Sequence, residues 1–261
     1  MALSKASIKW FRSLQRKKFR QKYNKFVVEG DKMVTELLDQ QEVAIEALYA
    51  LPDWLRERSP ARILPEEKIH EISPGELKKI SSLTTPNQVL AVADIPGWDI
   101  RRESLETNYA LYLDGIRDPG NLGTILRIAD WFGIRNVYCS VDCADVYNPK
   151  VIQASMGAFM RVRAVIASLP ELLKNRPALP VLGAVLEGED VFETPLPGHG
   201  LMIIGNEAQG ISSTLLPRLT HRLRIPAGPG GGAESLNAAV ATGIISAVLR
   251  YRQRREGENK E

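Results

Sequence analysis

The sequence predicts an α/β protein with a parallel sheet in its carboxyl-terminal part and a smaller α/β domain before it. From Tyr109 onward, short apolar runs alternate with segments of helical periodicity, which is typical of a parallel sheet covered on both faces. The chain has 261 residues, 44% of them hydrophobic, so one large core or two modest cores can form. A polar segment at 96–108 interrupts the apolar pattern. We therefore predict four regions, a first domain at 1–95, a linker at 96–108, a main domain at 109–255 and a charged tail at 256–261.

The first domain begins with a basic segment that runs directly into the strand-like sequence FVVEG at 26–30. The following segment, DKMVTELLDQ, has apolar side chains at helical spacing, and Asp31 is placed to cap that helix. Another strand is predicted within 43–51, and the segment 61–95 combines short strands with a helix near 75–83. These elements predict a small α/β domain.

The main domain alternates strands and helices more regularly. Strands are predicted at YALYLDG, NVYCSV, MRVRAVI, LPVLGAVL, LMIIG and HRLRI, with helices near 121–132, 149–156, 170–174 and 213–216 and a last helix ending near Tyr251. Parallel sheets of this kind bind ligands beyond the carboxyl ends of their strands. Loops that leave those ends are therefore the candidates for a functional site.

The composition excludes several classes of protein. The longest strongly apolar runs, such as Leu201–Ile204, are far shorter than the roughly 20 residues that cross a bilayer, so we expect no membrane segment. Cys139 and Cys143 lack the second ligand pair of a zinc site, which predicts no metal and no disulfide, as in a cytoplasmic protein. Hydrolase motifs of the G-x-S-x-G and H-E-x-x-H types are absent, and the histidines are scattered, at His70, His199 and His221.

The net charge of +3 hides a strong asymmetry. Residues 1–32 contain ten Lys and Arg against two acids, a surplus of eight, which leaves −5 for the rest of the chain. Aromatic residues are interleaved with these cations, and the mixture suits RNA, because cations neutralise phosphates while rings stack on unpaired bases. A solvated basic helix with its rings in the core would give the same pattern. A transit peptide is disfavoured because the segment runs into a strand. The candidate RNA-binding residues are Lys9, Arg12, Arg16, Lys17, Lys18, Arg20 and Lys22.

Four glycines lie in the loop IPAGPGGGAESLN, between a predicted strand and the last helix. Gly228, Gly230 and Ala233 fit the G-x-G-x-x-A form of the dinucleotide fingerprint. That fingerprint needs a second strand further on, and only ten residues follow Tyr251. A P-loop is excluded too, because the loop has no lysine before its helix. The loop therefore serves another purpose.

Two other loops carry unusual residues at predicted strand ends. In LDGIRDPGNLGTILRIADWFGI, Asn121 is placed to cap the helix, and Arg127 lies off its buried face, where it could instead pair with Asp130 three residues on. In LMIIGNEAQGIS, the glycines allow close backbone approach and Glu207 places a carboxylate at the strand end, although a plain turn would also fit.

The third loop leads into the last helix, where Ser235 and Asn237 are placed at the start. Ser235 could be an ordinary helix cap. The predicted apolar stripe of this helix is Leu236, Val240, Ile244, Val248 and Tyr251.

Together the three loops resemble motifs 1, 2 and 3 of the SpoU (TrmH-like) branch of the SPOUT RNA methyltransferases, in the same order and at similar separations. The resemblance covers Tyr109–Arg252 closely. The first hundred residues resemble, more loosely, the substrate-binding domain of the family, which is related to a ribosomal-protein fold that binds kinked RNA.

The resemblance implies a homodimer that transfers a methyl group from S-adenosylmethionine to a ribose 2′-hydroxyl of RNA. It also implies a deep trefoil knot in the carboxyl-terminal domain, an exception to the rule that chains do not knot, with Arg127 or the first domain near the partner's cofactor. An added first domain favours rRNA as the substrate. The alternatives are tRNA as the substrate, or a non-catalytic RNA-binding assembly protein with the same fold.

By position in the motifs, the resemblance assigns two groups of residues. The cofactor-binding group is Gly205, Asn206, Gly210, Ile225, Pro226 and Leu236, and the catalytic group is Asn121, Arg127, Glu207, Ser235 and Asn237. In this family the motif 1 arginine is often assigned as the base that accepts the proton of the ribose 2′-hydroxyl. Because guanidinium stays protonated, we expect Arg127 to stabilise the developing alkoxide or to bind the adjacent phosphate instead.

Motif 3 departs from the family pattern. Seven residues, AGPGGGA, separate Pro226 from Glu234, where the family has a shorter spacer. Ala227 replaces the usual methionine, and Ala238–Ala239 replaces the common Val-Ser. We expect the cofactor to bind, with an entropic cost for ordering the glycine loop.

Overall fold

The structure is a computed structural model that describes residues 3–40, 42–98 and 105–258. The described residues form two compact units, the first up to Gly97 together with Tyr147–Met160, the second from Trp98 to Val146 and from Arg161 on. Residues 99–104 of the predicted linker and 259–261 of the predicted tail lie outside the described residues. The predicted domain boundaries stay a prediction, and the fold adds that 147–160 packs with the first unit.

The first unit is an α/β domain around a four-stranded mixed sheet in the order β1-β4-β2-β3. Strand β4 is antiparallel to both neighbours, while β2 and β3 are parallel. Its helices and strands, numbered by their place in the chain, are α1 (Lys5–Ser13), α2 (Lys17–Tyr23), β1 (Lys25–Glu29), α3 (Asp31–Asp39), β2 (Ile45–Ala50), α4 (Pro52–Arg58), β3 (Ile69–Glu71), α5 (Pro74–Ile80), β4 (Val89–Asp94) and α7 (Pro149–Ser155).

The segment 147–160 packs on strand β1 through aromatic contacts. Phe26, fully buried on β1, lies 4.8 Å from the ring of Tyr147 and 5.7 Å from that of Phe159, measured between centroids. The side-chain amide of Gln153 donates to the backbone carbonyl of Glu29 at 3.1 Å. Burial of these large rings explains why a segment predicted in the main domain joins the first unit.

Helix α3 begins as predicted, but Asp31 is not its cap, which corrects the sequence interpretation. The cap position is Gly30, with a φ of 107° and no side chain to accept a bond. The Asp31 carboxylate instead accepts the indole N–H of Trp54 at 2.7 Å and forms an ion pair with Arg58. Burial alone would raise the pKa of Asp31, but these two hydrogen bonds outweigh it and lower the pKa.

The second unit contains the predicted parallel sheet, whose six strands have the order β10-β8-β9-β5-β6-β7 and pair in parallel throughout. The α/β class with a smaller first domain is therefore confirmed, whereas the trefoil knot stays a prediction. Its elements are β5 (Tyr109–Leu113), α6 (Pro119–Trp131), β6 (Asn136–Cys139), β7 (Arg163–Ile166), α8 (Leu169–Leu173), β8 (Val181–Asp190), β9 (Gly200–Ile204), β10 (His221–Arg224) and α9 (Ala238–Glu258).

Two helix starts in this unit differ from the sequence prediction. Asp118, not Asn121, caps α6, because its carboxylate accepts the backbone N–H of Asn121 at 2.7 Å. Helix α9 begins only at Ala238, so Ser235 precedes it and does not cap it. Of the predicted stripe of α9, Val248 is buried as expected, whereas Leu236, Val240 and Tyr251 are exposed and Ile244 is half-buried. The other buried side chains of this helix are Ala238, Ala239, Thr242, Ile245, Ser246 and Leu249.

Candidate active site

The three motif loops leave the same edge of the second sheet. Strands β5 and β9 are paired in register, with Leu113 opposite Ile204, so the loops that follow them start side by side. Strand β10 is parallel to them and is separated from β9 by β8. Because all these strands are parallel, their carboxyl ends share one edge, where such folds bind ligands.

A chain of side-chain hydrogen bonds connects one residue from each loop. The amide nitrogen of Asn237 donates to the amide oxygen of Asn121 at 2.9 Å. The amide nitrogen of Asn121 in turn donates to the Glu207 carboxylate. These three residues, far apart in sequence, were each predicted as catalytic, and the fold brings them together.

Two helix starts meet at this chain of hydrogen bonds. The Asn237 amide oxygen accepts the backbone N–H of Ala239 at 2.9 Å and of Val240 at 3.3 Å, so Asn237 caps α9. Because Asp118 caps α6, the side chain of Asn121 is free to bridge the other two motifs. The amino ends of two helices favour negative charge, which suits a phosphate or a developing oxyanion.

The motif 2 loop is folded tightly on itself beside this chain. A β-carbon placed on Gly205 would lie 2.2–2.4 Å from backbone atoms of Gly210 and Ile211, so only glycine fits there. Asn206 and Gly210 exchange backbone hydrogen bonds of 3.0 and 2.8 Å. The Asn206 amide also donates to the Gly115 carbonyl at 2.8 Å, which ties motif 2 to motif 1. Gly205 and Asn206 thus have structural roles in shaping this edge.

Arg127 stands apart from the hydrogen-bonded chain. Its side chain is exposed and makes no hydrogen bond or ion pair with any described residue. The alternative pairing with Asp130 is wrong, because Asp130 instead binds Arg161 through contacts of 2.8–3.0 Å. The fold therefore leaves the Arg127 guanidinium available to an external anion.

The motif 3 loop is open to solvent over most of its length. Ile225 and Pro226 are half-buried, whereas the glycines and Ser235 are exposed, and the Ser235 side chain makes no hydrogen bond among the described residues. Leu236 is 45% exposed. The space beside Gly228, Gly230 and Gly232 is open, and Leu236 offers apolar surface near them. This part of the loop therefore has room for a ligand with apolar groups.

Strand β8 contributes a segment at this edge that the sequence analysis missed. The pairing of β8 with β10 jumps from Gly183 opposite Arg222 to Glu189 opposite Leu223, so 184–188 bulges past the paired region. Leu186 in this bulge is 70% exposed. Gly188 was the available signal, because glycine inside a strand pattern marks a bulge, and its β-carbon would meet the Arg222 carbonyl.

Cys139 is the last residue of β6 and Cys143 lies in the turn that follows at the same edge, and both are buried free thiols. The Cys143 thiol donates to the Leu113 carbonyl at 3.2 Å. A hydrogen bond with Cys139 lowers the pKa of Cys143 to about 6, although burial opposes this, and the same bond raises the pKa of Cys139. These contacts brace the turn after β6 against β5.

Metal-ligating residues do not cluster at this edge. No group of three or more His, Cys, Asp or Glu side chains within 3–40, 42–98 and 105–258 could hold a metal ion. None of the helices in those ranges is long and apolar enough to cross a membrane.

The predicted RNA-binding residues belong to the first unit. Six of the seven have exposed side chains, namely Lys9, Arg12, Arg16, Lys17, Lys18 and Lys22. Arg20 is a correction, because it is only 2% exposed and donates to the Leu14 carbonyl at 2.7 Å. A buried guanidinium cannot reach a phosphate, so Arg20 instead holds the turn between α1 and α2.

Comparison with known proteins identifies the family of both parts of the chain. The SpoU rRNA Methylase family matches residues 108–247, and the MRM3-like substrate binding domain matches residues 5–91. The chain is 32% identical over 247 residues to a Bacillus subtilis 23S rRNA (guanosine(2553)-2′-O)-methyltransferase, RlmP, covering 93% of this chain and 95% of that protein.

Two solved structures are similar over nearly the whole chain. The first is a candidate RNA methyltransferase of the TrmH family from Porphyromonas gingivalis, with 39% identity and a TM-score of 0.85 over 97% of this chain and 100% of that one. The second is the SpoU methyltransferase AviRb from Streptomyces viridochromogenes in complex with AdoMet, with 26% identity and a TM-score of 0.83 over 97% and 99%.

Proposed function

Because the chain belongs to the SpoU rRNA methylase family, we propose that it methylates a ribose 2′-hydroxyl of rRNA at the edge where Asn237, Asn121 and Glu207 meet. The chain is an S-adenosylmethionine-dependent RNA 2′-O-methyltransferase. The assignment of the reaction to this edge rests on one observation, the hydrogen-bonded chain that joins the three motif loops.

The residues at this edge fit S-adenosylmethionine, which supplies the methyl group when it is bound. Ile225, Pro226 and Leu236 offer apolar surface to an adenosine, and the glycine loop offers backbone groups without side chains in the way. The exposed leucine of the β8 bulge, Leu186, adds to this surface. Gly205 and Gly210 contribute by shaping the motif 2 loop.

The polar residues position the reacting ribose. Asn121 is held from both sides, by Glu207 and by Asn237, so its amide presents a fixed orientation to a hydroxyl at this edge. Ser235 has an uncommitted hydroxyl beside Asn237. Arg127 carries a permanent positive charge and stabilises either the alkoxide that forms when the hydroxyl loses its proton or the neighbouring phosphate.

We further propose that the chain acts as a homodimer. Helices α6 and α9 pack on each other, and each leaves a large ring in solvent, Trp131 with 83% and Tyr251 with 58% exposed. Aromatic side chains are enriched at protein–protein interfaces, so these two rings favour α6 and α9 as the surface that a second copy covers. A cytoplasmic location fits the two free thiols and a ribosomal substrate.

Calorimetry and methylation mapping together test the proposed function. The full chain should bind S-adenosylmethionine, and one ribose methylation should be missing from the rRNA of cells that lack the gene. Glu207→Gln should reduce that methylation in complemented cells, whereas Glu171→Gln, which alters an exposed carboxylate on α8, should not. RNA binding without cofactor binding would instead favour the non-catalytic alternative.

A further inference from the structure

The amino-terminal helices carry three aromatic rings that each follow an exposed lysine. All three rings are partly exposed, and they form a row, with centroid distances of 6.1 Å from Trp10 to Tyr23 and 6.2 Å from Tyr23 to Phe19. The planes of Phe19 and Tyr23 differ by only 13°. The lysine–aromatic pairs are Lys9–Trp10, Lys18–Phe19 and Lys22–Tyr23.

Packing within the unit does not account for the exposed side of this row. On these two helices and the turn between them, Phe11, Leu14 and Arg20 are the side chains that are fully buried, and they fill the core-facing side. Trp10 and Tyr23 only flank that core cluster. Partly exposed aromatic rings contribute less hydrophobic stabilisation than fully buried ones. The arrangement therefore suits a ligand that covers the exposed faces of the rings.

The charged side chains of residues 1–28, the segment that carries the row, are all positive. The first acidic residue of the chain is Glu29, which is buried and accepts hydrogen bonds from Ser81 and Ser82. The lysine ammonium groups lie close to the rings, 5.0 Å from the Phe19 centroid and 5.5 Å from that of Tyr23. A base on the rings would therefore have its phosphates within reach of several cations.

We propose that this face of α1 and α2, the Trp10–Tyr23–Phe19 row with its lysines, binds unpaired nucleotides of RNA by stacking their bases. The proposal rests on the proposed function and specifies the class of RNA. Stacked bases inside a duplex offer no ring face to an aromatic side chain, whereas unpaired bases do. An exposed cation–π contact is weaker than stacking on a base, so the lysines move from the rings to the phosphates.

Fluorescence anisotropy on the full chain tests this assignment. The probes are a single-stranded oligoadenylate of about 12 nucleotides and a blunt RNA duplex of the same length. Phe19→Leu should weaken single-strand binding by about tenfold and change duplex binding by less than about twofold, because only stacking is lost. Phe19→Tyr, which keeps a ring, should retain wild-type affinity for both probes.

Further variants separate stacking from folding and from charge. Ile63→Ala removes an exposed apolar side chain elsewhere on the unit and should leave both affinities unchanged. The double variant Lys18→Gln and Lys22→Gln lies on the surface, so it should keep the fold while lowering affinity for both probes and their dependence on salt. Equal loss of duplex and single-strand binding in Phe19→Leu would overturn the proposal.

Failure of the stacking proposal can be distinguished from failure of the proposed function. If Phe19→Leu binds single strands normally while the wild-type chain methylates rRNA, stacking is wrong and the enzyme assignment stands. If the wild-type chain shows the ring-dependent binding but no S-adenosylmethionine binding, the stacking surface stands and the enzyme assignment fails.

Discussion

Replacing Gly205 by alanine tests whether the tight motif 2 loop shapes the active-site edge. The added β-carbon would lie 2.2 Å from the Gly210 carbonyl carbon and 2.3 Å from the Ile211 nitrogen. Non-bonded carbon atoms are normally about 3.5–4.0 Å apart, so the chain at 210–211 must move by more than about 1 Å. Because the obstacle is backbone, no side-chain rotation can relieve the clash.

The cost can be worked out from the contacts that would be lost. Moving Gly210 breaks the two backbone hydrogen bonds that it exchanges with Asn206, each worth about 1 kcal/mol. Overpacking adds about 1–3 kcal/mol. We therefore expect Gly205→Ala to destabilise the chain by about 3–5 kcal/mol, which corresponds to a melting temperature about 6–20 °C lower.

Thermal unfolding and calorimetry with S-adenosylmethionine measure the two consequences. Gly205→Ala should melt earlier and bind the cofactor more weakly, because the loop that carries Glu207 shifts. Gly243→Ala is the matched control, since its β-carbon would make only an ordinary 3.7 Å contact with Ile128 inside a helix and should stabilise by up to about 1 kcal/mol. A melting temperature for Gly205→Ala within about 2 °C of wild type would refute the reasoning.

Three other predictions follow from the site and from the first unit. Arg127→Lys should lower turnover by about tenfold or more with RNA binding unchanged, because a point charge cannot copy the planar guanidinium, and near-full turnover would contradict this role. Asn237→Ala should cost about 1 kcal/mol in unfolding experiments and most of the activity, whereas Asn237→Asp should keep the helix cap yet lose the bond to Asn121. The Glu76 carboxylate accepts backbone N–H bonds from Ser73 and Leu3, which lower its pKa to about 2. The stability that it contributes is therefore fully present above its ordinary pKa of 4.5 and is lost as the pH falls towards 2, so melting curves of wild type and Glu76→Gln should converge over that range.

The order and type of the elements could be predicted from the sequence because they depend on local patterns. Apolar periodicity placed β1, β5, β9 and α6, and it predicted the parallel sheet that the structure confirms. Residue types in the three loops identified the candidate site and the family. The exact helix starts were predicted less well, because two nearby residues could cap each helix. Asp118 rather than Asn121 caps α6, and Asn237 rather than Ser235 caps α9.

The sequence by itself determined the α/β class, the motif residues and the basic, aromatic character of the amino terminus, because each is a property of neighbouring residues. Only the tertiary structure decided which of those residues meet. Asn121 reaches Glu207 and Asn237 across 86 and 116 residues of chain, and Asp130 pairs with Arg161 rather than with Arg127. Arg20 and Lys18 look alike in sequence, yet one is buried and the other exposed. Such pairings depend on the path of the whole chain, and no local pattern contains that information.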